Sequence, residues 1–328
     1  MSALPDAAIP LDQALAYETF AAILDGAHGD DAVAAFLVAM AERDETSAEI
    51  AGAAQAMRER MIRIAAPDNA IDVCGTGGDG AHSLNVSTAV AIVVAAAGVP
   101  VAKHGNRAAS SKAGAADTLE ALGLDLGRAS DRAEASLNEI GLCFLFAQKH
   151  HPALARVGPI RKAIGRRTIF NLLGPIANPA GVSRQLIGVA RPDYLPVYAG
   201  ALEAIGCTSA MMVSGDEPLD ELSIAGPSSI FRLGEAGFGG ERFEPEIAGL
   251  ARHSLDAIRG GDAAYNAAAL SRLLDGEDSA YRDAVLLNAS AALIVAGKAA
   301  DWHDGVAIGR AAIDSGAAKT LLARWIGF

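Results

Sequence analysis

The stretch Ile71–Thr88, IDVCGTGGDGAHSLNVST, decides how this chain is read. Ile71 to Cys74 reads as a short buried strand, because apolar and branched residues run directly into glycine. Gly75, Gly77, Gly78 and Gly80 then make a loop, and Asn85, Ser87 and Thr88 open an apolar helix, with Ser87 expected as its N-cap. Glycine lets backbone amides approach an anion closely, and the orphan N–H groups of a helix start favour phosphate. Asp79 does not belong in a plain phosphate cradle, since a carboxylate repels phosphate. It fits if sugar hydroxyls or a cation come with the anion. Phosphate, ribose and a divalent metal together describe a phosphoribosyl donor.

GTGGDG also satisfies G-x-G-x-x-G. A dinucleotide loop enters its helix at the third glycine and finds a ribose-binding acid about 20 residues later. Here AHSLNVS intervenes and the next strand ends on Lys103. A nucleotide-triphosphate loop is weaker still, because no Gly-Lys-Ser/Thr follows the glycines.

Outward from this stretch the hydrophobic period changes. Residues 1–66 read as helices, with Leu11, Leu15, Phe20, Ile23 and Leu24 near one face of the first. Asp30 or Asp31 is expected to cap the second, and Thr46 with Glu49 forms a capping box for the third. After Pro67, AIDVCG and VPVAKHG flank TAVAIVVAAAG as β-α-β, which implies a parallel sheet. CFLFA, QLIGVA and SAMMVSGD continue as strands, ELSIAG and SIFRLG as an antiparallel edge pair. The fold class is α/β: a small N-terminal helical domain, 1–66, and a larger domain, 67–328, with a mostly parallel central sheet flanked by helices. Residues 154–178 break the α/β alternation with helical patterns and are expected to fold back onto the N-terminal helices.

Hydrophobic residues make up 51% of the 328, which rules against disorder. The longest apolar run, AVAIVVAAAGVPVA, contains glycine and proline and is too short to span a bilayer. MSALPDAAIPLDQ lacks a basic leader, and Cys74, Cys143 and Cys207 lie apart in apolar surroundings. Reduced thiols and a cytoplasmic setting are expected. Net charge is −12, which argues against a general nucleic-acid binder. Yet residues 80–116 and 140–192 contain no acid, while Lys103, Arg107, Lys149, Arg156, Arg161, Arg166 and Arg167 fall within them. That pattern suggests a local anion site.

Lys103, His104, Asn106 and Arg107 follow a strand, where open α/β sheets bind ligands. Asp216, Glu217, Asp220 and Glu221 follow another, and adjacent carboxylates near phosphate call for a hard cation such as Mg²⁺. His150 and His151 lack a third zinc ligand at a recognisable spacing.

DVCGTGGDG, NVST, AKHGNRAASSKAG, HHPAL, GRRTIFNLLGPIANPA and LDELS occur in this order. Together they closely resemble the anthranilate phosphoribosyltransferase family, from about residue 10 to the C-terminus. The resemblance implies transfer of phosphoribose from phosphoribosyl pyrophosphate to the amine of anthranilate by a Mg²⁺-dependent homodimer, paired through its helical domain. It also implies a fold shared with pyrimidine nucleoside phosphorylases, the nearest alternative activity; a nucleic-acid-binding paralogue is the alternative of another class. By the same resemblance Gly75, Gly78, Asp79, Asn85, Ser87, Thr88 and Lys103 hold the donor. Ser87, Asp220 and Glu221 hold the metal, and Asn106, His104, His151, Arg161, Gly174 and Pro175 form the acceptor path. Arg161 would grip the acceptor carboxylate, and no strong general base is implied. Ala113 and Ala115 stand where the family usually has serine, and Gln148 and Ala155 also depart from its commoner pattern.

Overall fold

The computed structural model describes residues 3–108, 112–217 and 219–328. Ala109, Ser110 and Ser111 of AKHGNRAASSKAG, and Pro218 of the acidic stretch, lie outside the described residues.

Among the described residues seven strands form one sheet: β1 (Ile71–Gly75), β2 (Val101–Gly105), β3 (Leu142–Phe146), β4 (Arg184–Gly188), β5 (Ser209–Gly215), β6 (Ser228–Gly234) and β7 (Gly239–Phe243). Their order is β3-β2-β1-β4-β5-β6-β7. The first five run parallel, and β6 and β7 are antiparallel. From β1 the chain moves outward to β2 and β3, then returns to start β4 on the other side of β1. The strand order therefore reverses between β1 and β4, and the crevice beyond their carboxyl ends is where such sheets bind ligands.

Side chains alternate across this sheet as the pleat requires. Val73, Leu186 and Met211 face one core, while Cys74, Ile187 and Met212 face the other. The first core is filled by helices α4 (Val86–Ala96), α13 (Ala280–Val295), α14 (Trp302–Asp314) and α15 (Ala317–Gly327), with α5 (Ala115–Ala121), α6 (Leu126–Asp131) and α12 (Ala263–Leu274) around them. The second joins α1 (Gln13–Leu24), α2 (Asp30–Glu42) and α3 (Ser47–Glu59) to α9 (Leu154–Ile164), α10 (Phe170–Ile176) and α11 (Leu195–Ala204). Phe20 of α1 meets Phe170 of α10 edge-on at 5.8 Å. The short α7 (Ala133–Ile140) and α8 (Ala147–His150) bracket β3.

Local expectations fail at three places before the site. Leu15 is 41% exposed. Asp12 caps α1 through the Leu15 N–H, which sets the inward stripe at Ala16, Phe20, Ile23 and Leu24. Gly29, not an aspartate, occupies the N-cap of α2, and Asp30 and Asp31 lie in its first turn, where the helix dipole favours them. Residues 221–226 are not a strand. Asn288 of α13 bonds both the N–H and the carbonyl of Leu222, so side chains rather than a ladder satisfy that backbone. β7, which the glycines of GFGGERF concealed, takes the edge beside β6 instead. The Thr46–Glu49 capping box is present as expected.

Candidate active site

Three loops meet at the switch point. Gly75 ends β1, Gly188 ends β4, and the chain at Asp220 lies across both. A Cβ on Gly188 would come within 1.4 Å of the Asp220 carbonyl oxygen, and one on Gly75 within 2.2 Å of Asp220 Oδ2. Gly75 is thus required by the acidic loop, rather than by close approach of a phosphate. Gly77, Gly78 and Gly80 have φ of 67°, 72° and 78°, left-handed conformations that only glycine takes without strain. The Gly77 N–H donates to Asp220 Oδ2 at 2.7 Å. Asp79 accepts from Ala81 N–H and, at 3.4 Å, from Asp220 N–H, so it binds the glycine loop to the acidic one.

Below this seam lies a buried acidic pit. Ser87 N–H donates to Glu221 Oε1 at 3.2 Å, while Glu221 Oε2 is buried with no partner among the described residues. Lys103 Nζ donates to the Val73 carbonyl and, at 3.3 Å, to Ser87 Oγ. Burial pushes Asp220 up to about 7, with neighbouring Asp79 adding to the effect. Burial, then Asp220, holds Glu221 well above the carboxylate range. Burial likewise lowers Lys103, against the pull of buried Asp72. One ammonium among Asp72, Asp220 and Glu221 leaves the pit short of positive charge, a costly state without a further cation. The donors on offer are hard oxygens: Asp220, Glu221 Oε2 and Ser87 Oγ. They fit Mg²⁺, which keeps several waters and needs only one or two carboxylates. Among the described residues no group of three or more His, Cys, Asp or Glu is set to hold a metal.

Two residues of the glycine stretch behave differently from expectation. Asn85, not Ser87, sits at the N-cap of α4, without a side-chain cap. Its amide is already engaged: Oδ1 accepts from Thr118 Oγ1 at 2.5 Å and Asn266 Nδ2 at 2.9 Å, and Nδ2 reaches the Ala113 carbonyl at 3.3 Å. Tyr281 donates to the Asn85 carbonyl. In this state Asn85 joins α4, α5 and α12, and one Nδ2 hydrogen is left for the donor contact that the resemblance implies. Thr88 is buried and its hydroxyl has no partner among the described residues. Asp117 was not anticipated. Its Oδ2 accepts from Ala108 and Gly114 N–H, and its Oδ1 pairs with Arg107, closing the loop after β2. Its only signal was being the first acid after an acid-free run.

Among the residues expected to form the acceptor path, His104 Nδ1 lies 2.9 Å from the Gly174 carbonyl, and its Nε2 lies 3.2 Å from His151 Nε2. A carbonyl only accepts, so the His104 proton is assigned to Nδ1 and His151 donates through Nε2. Burial draws His104 down to about 3 and His151 to about 4, so both are neutral at pH 7. His150 instead ties its Nδ1 to the Ile62 carbonyl, anchoring the N-terminal helices. The Pro175 carbonyl takes Gln185 Nε2, and Pro175 is buried. His104, Gly174 and Pro175 are therefore wall groups with partners inside the protein, while the buried His151 Nδ1 has no partner among the described residues. Asn106 is exposed at the loop after β2. Arg161, on α9, is half-buried, has no carboxylate partner among the described residues, and lies 5.8 Å from the Phe170 ring. Because α10 carries both Phe170 and Gly174, it is the common wall between Arg161 and the histidine pair.

The chain matches the Glycosyl transferase family, helical bundle domain, over residues 7–61, and the Glycosyl transferase family, a/b domain, over residues 67–319. It is 61% identical over 326 residues to the anthranilate phosphoribosyltransferase of Novosphingobium aromaticivorans, covering 99% of each. The chain belongs to the anthranilate phosphoribosyltransferase family. The anthranilate phosphoribosyltransferase of Thermus thermophilus has the same architecture, with a TM-score of 0.93 at 42% identity over 100% of this chain and 99% of that one. The Saccharomyces cerevisiae anthranilate phosphoribosyltransferase, solved with PRPP and Mg, gives 0.88 at 27% identity over 97% and 93%. The same yeast enzyme solved with 4-fluoroanthranilate gives 0.86 at 26% identity over 97% and 92%.

Within this anthranilate phosphoribosyltransferase fold, Ala115 is the first residue of α5 and half-buried. Ala115→Ser is expected to fold normally and to tighten donor binding. One hydrogen bond to a charged group contributes at most about 1.5–3 kcal/mol. Isothermal titration with phosphoribosyl pyrophosphate measures it; a large loss of stability would show that this loop cannot accept the hydroxyl.

Proposed function

We propose that this chain transfers the phosphoribosyl group of phosphoribosyl pyrophosphate to the amine of anthranilate, releasing pyrophosphate, with Mg²⁺ bound. The observation that carries the reading is the acidic loop at Asp220–Glu221, packed across the ends of β1 and β4 beside the glycine loop, with a buried carboxylate oxygen that has no partner among the described residues. Asp220, Glu221 and Ser87 would hold the metal, which when bound neutralises charge on the leaving group. Gly75, Gly78, Asp79, Asn85, Ser87, Thr88 and Lys103 would surround the donor, with Asn85 also tying together the loops around them. Asn106, His104, His151, Arg161, Gly174 and Pro175 would line the acceptor path.

In the reaction the anomeric C–O bond breaks and its electron pair leaves on pyrophosphate. The lone pair of the anthranilate nitrogen forms the new C–N bond, and one amine proton passes to water. An aromatic amine is neutral at pH 7, so the protein positions it rather than deprotonating it. The neutral histidine pair suits that task, since it brings no charge against the developing oxocarbenium ion. Lys103 and the loop amides supply fixed positive potential where negative charge grows.

The helical part, 1–66 with 154–178 packed onto it, would act as one domain against the rest of 67–328, and closing the cleft between them would exclude water. We assign the chain to a homodimer paired through that helical part; Ile9, Leu15 and Ile62 there are large apolar residues left exposed. Its free cysteines suit the cytoplasm. No helix among the described residues is long and apolar enough to cross a membrane. The deciding experiment follows anthranilate fluorescence in purified protein, with and without phosphoribosyl pyrophosphate and Mg²⁺. Fluorescence should fall only when both are present; a steady signal overturns the reading.

A further inference from the structure

The acid-free window 140–192 carries eight lysines and arginines. Five of them find carboxylates elsewhere: Lys149 on Asp131, Arg156 on Asp30, Arg166 on Glu42, Arg184 on Glu235, and Arg191 on Asp44 and Asp193. Lys162 is exposed to solvent. Arg161 and Arg167 remain, both half-buried and without a carboxylate partner among the described residues. A partly desolvated cation with no anion is unfavourable, so each marks a place where an anion belongs.

Arg161 lies beside the acceptor wall. Arg167 lies elsewhere, against the glycine loop. Its Nη1 is 3.5 Å from the Gly78 carbonyl, and a Cβ on Gly78 would stand 3.4 Å from that nitrogen. A bond this long holds the guanidinium weakly. Arg167 also lines a cleft of about 210 Å³ with Asp44, Glu45, Arg166, Thr168, Arg191 and Tyr194.

We propose that Arg167 is a further catalytic residue, leaving the Gly78 carbonyl to bind the pyrophosphate of the donor and stabilise it as it departs. The proposal rests on the transferase reading above. As the anomeric C–O bond breaks, its electron pair adds one negative charge to pyrophosphate. A guanidinium meets this charge with a planar fork of N–H donors, which can bind two oxygens at once. Arg167 follows Arg161 by six residues on the segment that links α9 to α10. One segment, packed against the N-terminal helices, thereby carries a cation for each substrate.

The test compares wild type with Arg167→Ala, Arg167→Gln and Arg167→Lys in steady-state kinetics, pyrophosphate product inhibition and thermal melting. Wild-type turnover examines the transferase reading by itself, so its absence would refute that reading and not this role. Arg167→Ala should lower kcat on the order of 100-fold, as loss of one preorganised donor does. The pyrophosphate inhibition constant should rise on the order of tenfold, from the loss of one charge-assisted bond. The anthranilate KM and the melting temperature should stay near wild type. Lysine should restore part of kcat, and glutamine almost none. Unchanged kcat overturns the proposal. So does a loss shared equally by lysine and glutamine with a lowered melting temperature, or a rise confined to the anthranilate KM.

Discussion

Magnesium-dependent turnover should vanish in the double variant Asp220→Asn/Glu221→Gln, while the metal-free protein becomes more stable above neutral pH. Both effects come from one pit. Metal-borne stabilisation of a leaving group amounts to several kcal/mol, so its loss should slow turnover on the order of 10³-fold or more. Stability moves the other way. Asp220 is raised to about 7 and Glu221 well above its usual range, burial being the main cause in each. Between about pH 4 and pH 7 folded Asp220 therefore holds a proton that the unfolded chain has released, and Glu221 holds its own well above the ordinary carboxylate range. By linkage, the stability these bound protons contribute falls as pH rises toward the folded pKa of each group, which for Asp220 is about 7. Once ionised, the carboxylates are charged while buried, with Lys103 as their only close ammonium among the described residues. The amide pair has no such proton to lose. Melting curves in EDTA at pH 5 and pH 8 should show a drop for wild type that the variant lacks, and Mg²⁺ should restore wild type alone. A variant that still responds to Mg²⁺, in rate or in melting, would remove these residues from the metal site.

The parts legible in the sequence are those whose signal is local. The apolar run into Gly75, the helix after Asn85 and the β-α-β period gave the parallel sheet. The acid pair gave itself away by sitting after a strand. What stayed hidden depends on contacts between distant segments. Gly188 looks like an ordinary strand end until Asp220 lies against it. Nothing in the sequence joins Asn85 to Thr118 and Asn266, which share its amide oxygen. Pro175 looks available until Gln185 takes its carbonyl. Arg167 could not be told from Arg166 in the sequence, because only the fold brings Glu42 to one and the Gly78 carbonyl to the other. The pair His150 and His151 shows the same limit. Adjacent and identical, they face opposite ways, one toward Ile62 and one toward His104.

Arg161→Ala should raise the anthranilate KM by more than tenfold while the donor KM changes little. Arg161 is half-buried, and burial alone lowers its pKa, since no carboxylate among the described residues supports the charge. It remains charged at neutral pH because arginine starts so high. Its contact with the Phe170 ring, at 5.8 Å, contributes about 0.5–1 kcal/mol at an exposed site and cannot balance the lost hydration of a guanidinium. The missing partner is an anion on the acceptor side, and anthranilate offers a carboxylate. A charge-assisted hydrogen bond there contributes about 1.5–3 kcal/mol, which corresponds to more than a tenfold change in affinity. Lysine should rescue only in part, because a single ammonium lacks the fork that grips both carboxylate oxygens. The melting temperature of Arg161→Ala should hold or rise, since the variant sheds an unpaired half-buried charge. That separates substrate binding from support of the fold. Aniline, which keeps the amine and lacks the carboxylate, supplies the control. Its much weaker turnover should be the same in wild type and Arg161→Ala. If aniline turnover falls as far as anthranilate turnover, Arg161 does not read the carboxylate, and the division between a donor loop and an acceptor helix has to be redrawn.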